Sequence, residues 1–187
     1  MKLKNKIAVL GLSLFALSCT DLDTTNSDYL TGDQYPETTE QAINLATPVF
    51  AKTSIMLDGG GWWFTQEITS DEAVGPTRGA DWEDNGKWRA LFKHTWGPES
   101  EAVNQLYGMI YNVIPQANYA IETLTPTADS NADVAKVLAQ VKVSRAYYFY
   151  LAIDNFGDIP FPTTFIGANE FPSRTSRAEV FASILND

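Results

Sequence analysis

The architecture follows first from residues 131–160, which read NADVAKVLAQVKVSRAYYFYLAIDNFGDIP. Apolar side chains fall on one side of a helix here, and they are Val134, Val137, Leu138, Val141, Tyr148 and Leu151. Gly157 can turn the chain beyond the end of such a helix. The pattern therefore predicts a long helix from about Asn131 to Asp154.

The segment before it predicts a second long helix, from about Glu99 to Leu124. Its apolar positions alternate between spacings of four and three, and they are Val103, Tyr107, Ile110, Ile114, Ala117, Ile121 and Leu124. Because Pro115 has no amide hydrogen for the Tyr111 carbonyl, we expect a kink near that turn. Thr125 and Pro126 should end the helix. The two helices are then expected to form an antiparallel hairpin.

Two further helices flank the predicted hairpin. A looser apolar face, interrupted by Pro48, predicts a helix from about Thr38 to Met56. Ser176 and Glu179 form a capping box, and Val180, Phe181, Ile184 and Leu185 follow at helical spacing. This last helix has barely three turns when the sequence stops at Asp187, so we expect the chain to be truncated.

The fold class expected from these helices is all-α. The hairpin has no partner of its own length, so its outer apolar face should pack on other helices, as in tetratricopeptide-type stacks. No strand pattern longer than four residues stands out. Residues 58–98 are rich in Gly, hold all five tryptophans and show no period. A segment of that length and composition predicts a long structured loop that carries function.

The first 18 residues indicate an export signal, because Lys2, Lys4 and Lys6 precede an apolar run and then Ser18. Cys19 follows directly and is the sole cysteine. This arrangement is similar to the lipobox of bacterial lipoproteins, in which the cysteine becomes the acylated N-terminus. The alternative is an ordinary cleaved signal with a chance cysteine. Residues 19–35 are then expected to form a lipidated tether, and residues 36–187 the helical domain.

Charge and motif content exclude several classes of function. Without the signal, the formal charge falls from −10 to −13, because three lysines and no acids are removed. Nucleic-acid binding needs clustered basic residues, which are missing here. His94 is the sole histidine, so a metal site of the His/Cys type cannot be assembled. The sequence contains no phosphate loop or nucleophile motif, and no cofactor is expected.

Three segments carry a family resemblance. One runs from TSDE at residues 69–72 through RG at 78–79, DW at 81–82 and Trp88 to HTW at 94–96. The next two are VSRAYYFYL at 143–151 with NFGDIP at 155–160, and PSRTSR at 172–177. Together they resemble the SusD/RagB family of nutrient-binding lipoproteins, although Ser144 stands where a leucine is usual. The match corresponds to about the first third of a family member.

This resemblance implies a tetratricopeptide-like fold, a lipid anchor on the outer membrane and no catalytic activity. It also implies an oligosaccharide ligand and, as partner, a TonB-dependent transporter of the SusC type. Aromatic side chains suit such a ligand, because pyranose rings present apolar faces that stack on indoles. Two alternatives stay open: a structural lid on the transporter without sugar affinity, and a surface glycoside hydrolase using the loop carboxylates of Asp71 and Glu72 or of Asp81, Glu83 and Asp84.

Trp82 and Trp96 are the indoles expected to face a ligand. Trp82 is surrounded by acids and Asn85, while Trp96 lies near Asn104, which can bond sugar hydroxyls. Roughly three of the five tryptophans should instead be core residues, following the general burial of indoles. Arg78 is expected either to contact sugar oxygens or to pair with Asp81 or Glu83.

Three further polar residues are expected to be structural. Arg145 and Asp158 should fix the corner after the long helix, where Asp158 can accept from Arg145 or from loop amides. His94 is expected to be packed or hydrogen-bonded.

Overall fold

The computed structural model describes residues 35–57, 60–167 and 170–187. Its helices are α1 (Thr39–Ala51), α2 (Trp62–Thr69), α3 (Lys87–Phe92), α4 (Glu101–Tyr111), α5 (Ile114–Ala128), α6 (Ala132–Phe156) and α7 (Arg177–Ile184). Short 3₁₀ turns occupy Lys52–Met56 and Asp84–Gly86. The strands β1 (Ile159–Pro160) and β2 (Arg174–Thr175) pair antiparallel, with Ile159 opposite Thr175. The fold is therefore essentially all-α, as predicted. The predicted signal peptide, Cys19 and residues 19–34 of the tether lie outside the described residues.

Helix α6 begins and ends as its sequence predicts. The Asn131 side chain accepts from the amides of Asp133 and Val134 at 3.0 and 3.2 Å, which caps the N-terminus. Gly157 follows the helix with φ of 73°, a conformation that side-chain-bearing residues rarely adopt. Helices α5 and α6 form the predicted hairpin, and α1 and α7 also pack on α6.

The second predicted helix is divided into α4 and α5, where a kink was expected. Asn112 and Val113 separate the two helices. Pro115 cannot donate to the Tyr111 carbonyl, so the chain loses the bond that would bridge the two segments. A proline is instead favourable in the first turn of a helix, where amides need no partner within the helix. The proline therefore starts α5.

Two other boundaries were predicted wrongly. Helix α5 continues through Thr125 and Pro126 to Ala128. Thr127, in that last turn, donates to the Pro36 carbonyl at 3.2 Å, so a contact with the N-terminal segment helps to hold it. The stretch 58–98 is also not simply a loop, because it contains α2 and α3. Those helices have eight and six residues, too few for a clear apolar period.

The core lies in two parts. The larger part is formed by α1, α4, α5, α6 and α7, and includes Val49, Ile110, Leu124, Val141, Tyr148 and Val180. The smaller part joins α2, α3 and α4 through Ile68, Trp88, Leu91 and Ala102. None of the described helices is long and apolar enough to cross a membrane. The smaller core carries the aromatic segment, and so positions the candidate site.

Candidate functional site

Helix α2 lies between two clefts. Its residues Trp63, Phe64, Glu67 and Ile68 line the first cleft, and Thr65, Gln66 and Thr69 line the second. This division follows from helical geometry, since positions three and four apart share a face. The eight residues of α2 thus contribute to two separate surfaces.

The first cleft has a volume of about 380 Å³ and is called the Trp82 cleft below. Trp82 is 41% exposed, and its indole stacks on Phe64 with ring centroids 5.8 Å apart and planes 8° from parallel. The other walls of the cleft are formed by Trp63, Glu67, Ile68, Ala73, Val74, Gly75, Pro76, Arg78 and Asp81. An indole supported in this way keeps its orientation without a ligand, and this lowers the entropic cost of binding.

Trp88 supports the Trp82 cleft from behind. It is only 4% exposed, and its ring centroid lies 5.9 Å from that of Trp82. Its indole N–H donates to Asp84 Oδ2 at 2.5 Å. A Cβ at Gly75 would lie 2.8 Å from the Trp88 Cβ, so only glycine lets the chain pass this close. Trp88 is therefore a core residue of the site and not a ligand platform.

Arg78 lies in the Trp82 cleft, as part of a tight turn. Its amide donates to the Asp81 carbonyl at 2.9 Å, and the Asp81 amide donates back at 3.1 Å. Among the described residues no ion pair involves Arg78, so the alternative in which it pairs with Asp81 or Glu83 is not observed. Glu83 instead pairs with Arg89 at 3.3 Å. The Arg78 guanidinium is therefore not committed to a carboxylate of the described chain.

Backbone strain is concentrated in the chain segment that includes Trp82. The described non-glycine residues with positive φ are Asp71, Trp82, Asp84, Asn85 and His94, with values between 38° and 66°. All of them lie in one segment of the chain. Conformations of this kind cost on the order of 1 kcal/mol or more each, and they tend to occur at ligand clamps and active sites. The strain therefore favours a functional role for residues 71–94.

Two carboxylates meet at the wall of the Trp82 cleft. Partial burial and a hydrogen bond with Glu72, together with its negative charge, raise the pKa of Glu67 above its usual value. The negative wall is partly offset by Arg78, which lines the same cleft.

The second cleft has a volume of about 620 Å³ and is called the Trp96 cleft below. Trp96 is 46% exposed at its edge. The rest of its lining comes from α2, α3, α4, the end of α6 and nearby loop residues, namely Thr65, Gln66, Thr69, Leu91, Gly97, Pro98, Val103, Leu106, Asp154, Asn155 and Phe156. Gln66 Nε2 donates to Asn155 Oδ1 at 2.7 Å across the cleft floor, tying α2 to α6.

Asn104 lines neither cleft. Its Nδ2 donates to the carbonyls of Pro98 and Ser100 at 3.0 and 3.1 Å, so it braces the chain next to Trp96. His94 is hydrogen-bonded, as expected: its Nε2 donates to the Thr69 carbonyl at 2.9 Å. The structure thus brings Trp82 and Arg78 together, places Trp96 in the other cleft, and gives Asn104 a contact that sequence could not indicate.

Arg145 and Asp158 have structural contacts, as expected, but they do not meet. Arg145 is 5% exposed and donates to Asn118 Oδ1 and the Thr163 carbonyl, both at 2.9 Å, and it pairs with Asp187. Asp158 Oδ1 accepts from the Arg177 amide at 3.0 Å. Both residues therefore hold the chain after α6 in place.

Sequence reasoning missed three lining residues of the Trp82 cleft, namely Trp63, Phe64 and Glu67. Trp63 is 41% exposed, as much as Trp82. A helix over 62–69 would have placed Phe64 and Glu67 near one face, but eight residues gave too weak a period for that prediction. The described residues contain no group of three or more His, Cys, Asp or Glu that could hold a metal ion.

The family can now be identified by comparison with known proteins. A family model described as starch-binding and associating with the outer membrane matches residues 30–187. The chain belongs to this SusD-like family. Family membership places the protein at the outer membrane, and the family is described by what it binds rather than by a reaction.

Two relatives and one solved structure are similar to the chain. It is 27% identical over 190 residues to SusD-like protein P2 of Formosa agariphila, covering 98% of the chain and 36% of that relative. It is 24% identical over 121 residues to the starch-binding protein SusD of Bacteroides thetaiotaomicron, covering 65% and 20%. A crystal structure of a SusD superfamily protein from B. thetaiotaomicron matches with a TM-score of 0.63 and 19% identity, covering 78% and 32%. The chain thus spans at most 36% of the length of these proteins.

Proposed function

We propose that this SusD-like protein is a cell-surface lipoprotein that captures an oligosaccharide and delivers it to a SusC-type TonB-dependent transporter. The observation that carries the proposal is the half-exposed Trp82 indole, which Phe64 and Trp88 hold at the edge of a cleft. The starch-binding description of the family supports the same class of ligand.

The Trp82 cleft suits a sugar chemically. A pyranose ring can stack on the exposed part of the indole, while its hydroxyls donate to carboxylates and accept from a guanidinium. Glu67, Asp81 and Arg78 provide these groups in the lining of the cleft. Affinity should be modest, because each sugar hydroxyl exchanges a bond with water for one with protein.

The lipid anchor is part of the proposal and rests on Cys19. A formal charge of −13 without the signal disfavours adsorption to anionic lipid, so a covalent anchor is the simpler way to keep the domain at the membrane. Residues 19–35 would then separate the helical domain from the bilayer.

The two alternative functions receive less support. A structural lid would have no reason to expose indoles at two cleft edges, as Trp82 and Trp96 are, or to hold Trp82 in place against Phe64 and Trp88. A hydrolase would need two available carboxylates at a fixed separation. However, Glu83 caps the Asn85 amide and pairs with Arg89, and Asp84 accepts from Trp88. These two loop acids therefore have structural roles.

Calorimetric titration of the complete protein, without residues 1–19, with a panel of oligosaccharides tests the proposal. We expect saturable binding without shorter products, weakened about tenfold or more in Trp82→Ala, since an aromatic contact contributes on the order of 1 kcal/mol beyond its buried area. Phe171→Ala removes an aromatic side chain that is 91% exposed outside both clefts, and should bind normally.

Three results would contradict this. Absence of binding to every glycan would favour the lid, and appearance of shortened sugars would favour the hydrolase. Normal affinity in a folded Trp82→Ala variant would remove the Trp82 cleft as the site. Far-ultraviolet circular dichroism checks that each variant is folded.

A further inference from the structure

The Trp96 cleft is lined by polar side chains whose donors and acceptors are partly used within the protein, and those that remain decide which ligand can bind. Thr65 Oγ1 donates to the Gly61 carbonyl at 3.0 Å, and Thr69 Oγ1 donates to the Thr65 carbonyl at 2.6 Å. A hydroxyl has a single hydrogen, so both side chains can only accept from a ligand.

The amides of this cleft are also partly used. Gln66 Nε2 donates to Asn155 Oδ1, and Asn155 Nδ2 donates to the Leu151 carbonyl at 2.7 Å. Each amide keeps one further hydrogen, while Gln66 Oε1 accepts no hydrogen bond from the described residues. The polar wall therefore presents more acceptors than donors, which matches a ligand rich in hydroxyl groups.

Asp154 is the single charged residue that lines the Trp96 cleft. Its nearest cation is Arg177 at 3.7 Å, a long pair in which the Asp154 and Arg177 side chains are both substantially exposed. Arg177 does not line the cleft, and both side chains are substantially exposed, so solvent screens the pair and the carboxylate is the charge that a ligand in the cleft meets first. The Trp82 cleft, in contrast, contains Arg78. An anionic ligand in the Trp96 cleft would meet a carboxylate and no lining cation.

We infer that the Trp96 cleft binds a neutral saccharide and that Asp154 excludes acidic ones. This rests on the proposed function and specifies the ligand class of one of its two clefts. A neutral pyranose would place an apolar face on Trp96 and donate hydroxyl hydrogens to Asp154, Gln66 and the threonines. A carboxylated or sulfated sugar of the same shape would bring like charges together, which lowers affinity.

The test compares two ligands of one shape. Calorimetry on the complete protein measures the neutral oligosaccharide that binds best, and the same oligosaccharide after oxidation of its primary hydroxyls to carboxylates. At low ionic strength we expect the neutral form to bind about tenfold or more tightly, with a smaller difference at high salt because exposed charges are screened. Trp96→Ala should weaken binding of the neutral form.

Asp154→Asn removes the charge of this side chain and preserves its shape. It should therefore reduce severalfold the ratio of the affinities for the neutral and the oxidised oligosaccharide. Asp129→Asn makes the same change of net charge at an exposed position outside both clefts, and should leave the difference unaltered. Equal or tighter binding of the oxidised sugar by the unmodified protein would overturn the inference.

Further outcomes separate the inference from the proposed function. An unchanged difference in Asp154→Asn would overturn the inference, as would neutral-sugar binding that survives in Trp96→Ala but is lost in Trp82→Ala. In both cases the proposed function would stand. If neither sugar form nor any other oligosaccharide binds, the proposed function and the inference fail together.

Discussion

Arg145 shows how much one buried side chain can organise. Its guanidinium reaches Asn118 on α5, the Thr163 carbonyl beyond α6, and Asp187 after α7. Asn118 in turn donates to the carbonyls of Pro162 and Thr164 at 2.8 and 2.9 Å. An arginine can serve three partners because its donors are arranged in a planar fork. The segment that follows α6 is thereby fixed to the hairpin.

Replacing Arg145 by Met should destabilise the protein by about 3 kcal/mol, because it leaves the Asp187 carboxylate and Asn118 without their partner. The stability of Arg145→Lys should lie between those of the unmodified protein and Arg145→Met, since one ammonium group cannot reach all three acceptors. Arg89→Met, which breaks the exposed pair with Glu83, should cost no more than about 1 kcal/mol. Urea unfolding measures all three variants. A loss under 1 kcal/mol in Arg145→Met would contradict the structural role.

The tryptophans show why sequence alone does not identify the ligand platform. Trp82 and Trp88 are both followed within two residues by charged groups, yet one is half-exposed and the other buried. Phe64, which is 18 residues before Trp82, contacts both rings, and Gly75, which is 13 residues before Trp88, lets the backbone pass close to the Trp88 side chain. Local composition correctly indicated that Trp82 would be accessible, but the cluster that supports it required the tertiary structure.

Helix ends were predicted well wherever a side chain caps the helix. Thr38 with Gln41, and Ser176 with Glu179, form capping boxes, and Asn131 caps α6. These signals are local, because the capping oxygen and the amides it accepts from lie within three residues. The break between α4 and α5 is also local, because Pro115 has no amide hydrogen for the Tyr111 carbonyl, and a kink was predicted there. The extension of α5 past Pro126 involves a contact between Thr127 and the distant Pro36. Propensity arguments could therefore not place the end of α5.

Gly157, which follows a helix, and Gly108, which lies inside one, should respond to alanine in opposite ways. Gly157 follows α6 with φ of 73° and ψ of −116°, the mirror image of the β region, so Gly157→Ala should cost about 1–3 kcal/mol through backbone strain alone. Gly108 lies inside α4 with open space where a Cβ would point, so Gly108→Ala should stabilise by about 0.5–1 kcal/mol.

Thermal unfolding followed by circular dichroism measures both glycine variants. A Cβ at Gly157 would also meet no atom within 4 Å, so a loss of stability there cannot be assigned to a clash. If Gly157→Ala did not change the stability, residue 157 would not need the positive φ that makes glycine favourable there. If Gly108→Ala were destabilising, the added methyl group would have to clash with a neighbouring group, which contradicts the open space beside Gly108.

The two parts of the core differ in how well they could be predicted and in whether they carry the candidate site. The larger part could be anticipated from sequence, because the hairpin of α5 and α6 has long, regular apolar faces. The smaller part, with α2, α3 and the strained residues 71–94, carries both clefts. A site of this kind gives weak local signals, since its short helices and positive φ values depend on tertiary contacts.

Stability of the entire protein should fall at alkaline pH because Tyr148 is buried in the larger core and the partly buried Tyr111 packs against it. Burial, and to a lesser extent the neighbouring Tyr147, raises the pKa of Tyr148 to about 12. Burial and the neighbouring Tyr107 raise the pKa of Tyr111 above its usual value. The unfolded chain loses these protons near pH 10 while the folded protein keeps them. The unfolded state then binds fewer protons, so the free energy of unfolding decreases as pH rises from about 10 to 12.

Tyr148→Phe separates this titration from other alkaline effects. The Tyr148 hydroxyl donates to the Val49 carbonyl at 3.1 Å, so the variant should lose about 1 kcal/mol at pH 8. Between pH 10 and 12 its stability should then fall less steeply, by up to about 1.4 kcal/mol per pH unit, because one buried phenol no longer titrates. Tyr150→Phe, on the exposed side of α6, should keep the steeper slope of the unmodified protein. Urea unfolding from pH 8 to 11.5 measures these slopes, and parallel curves for Tyr148→Phe and the unmodified protein would show that Tyr148 does not cause the alkaline loss.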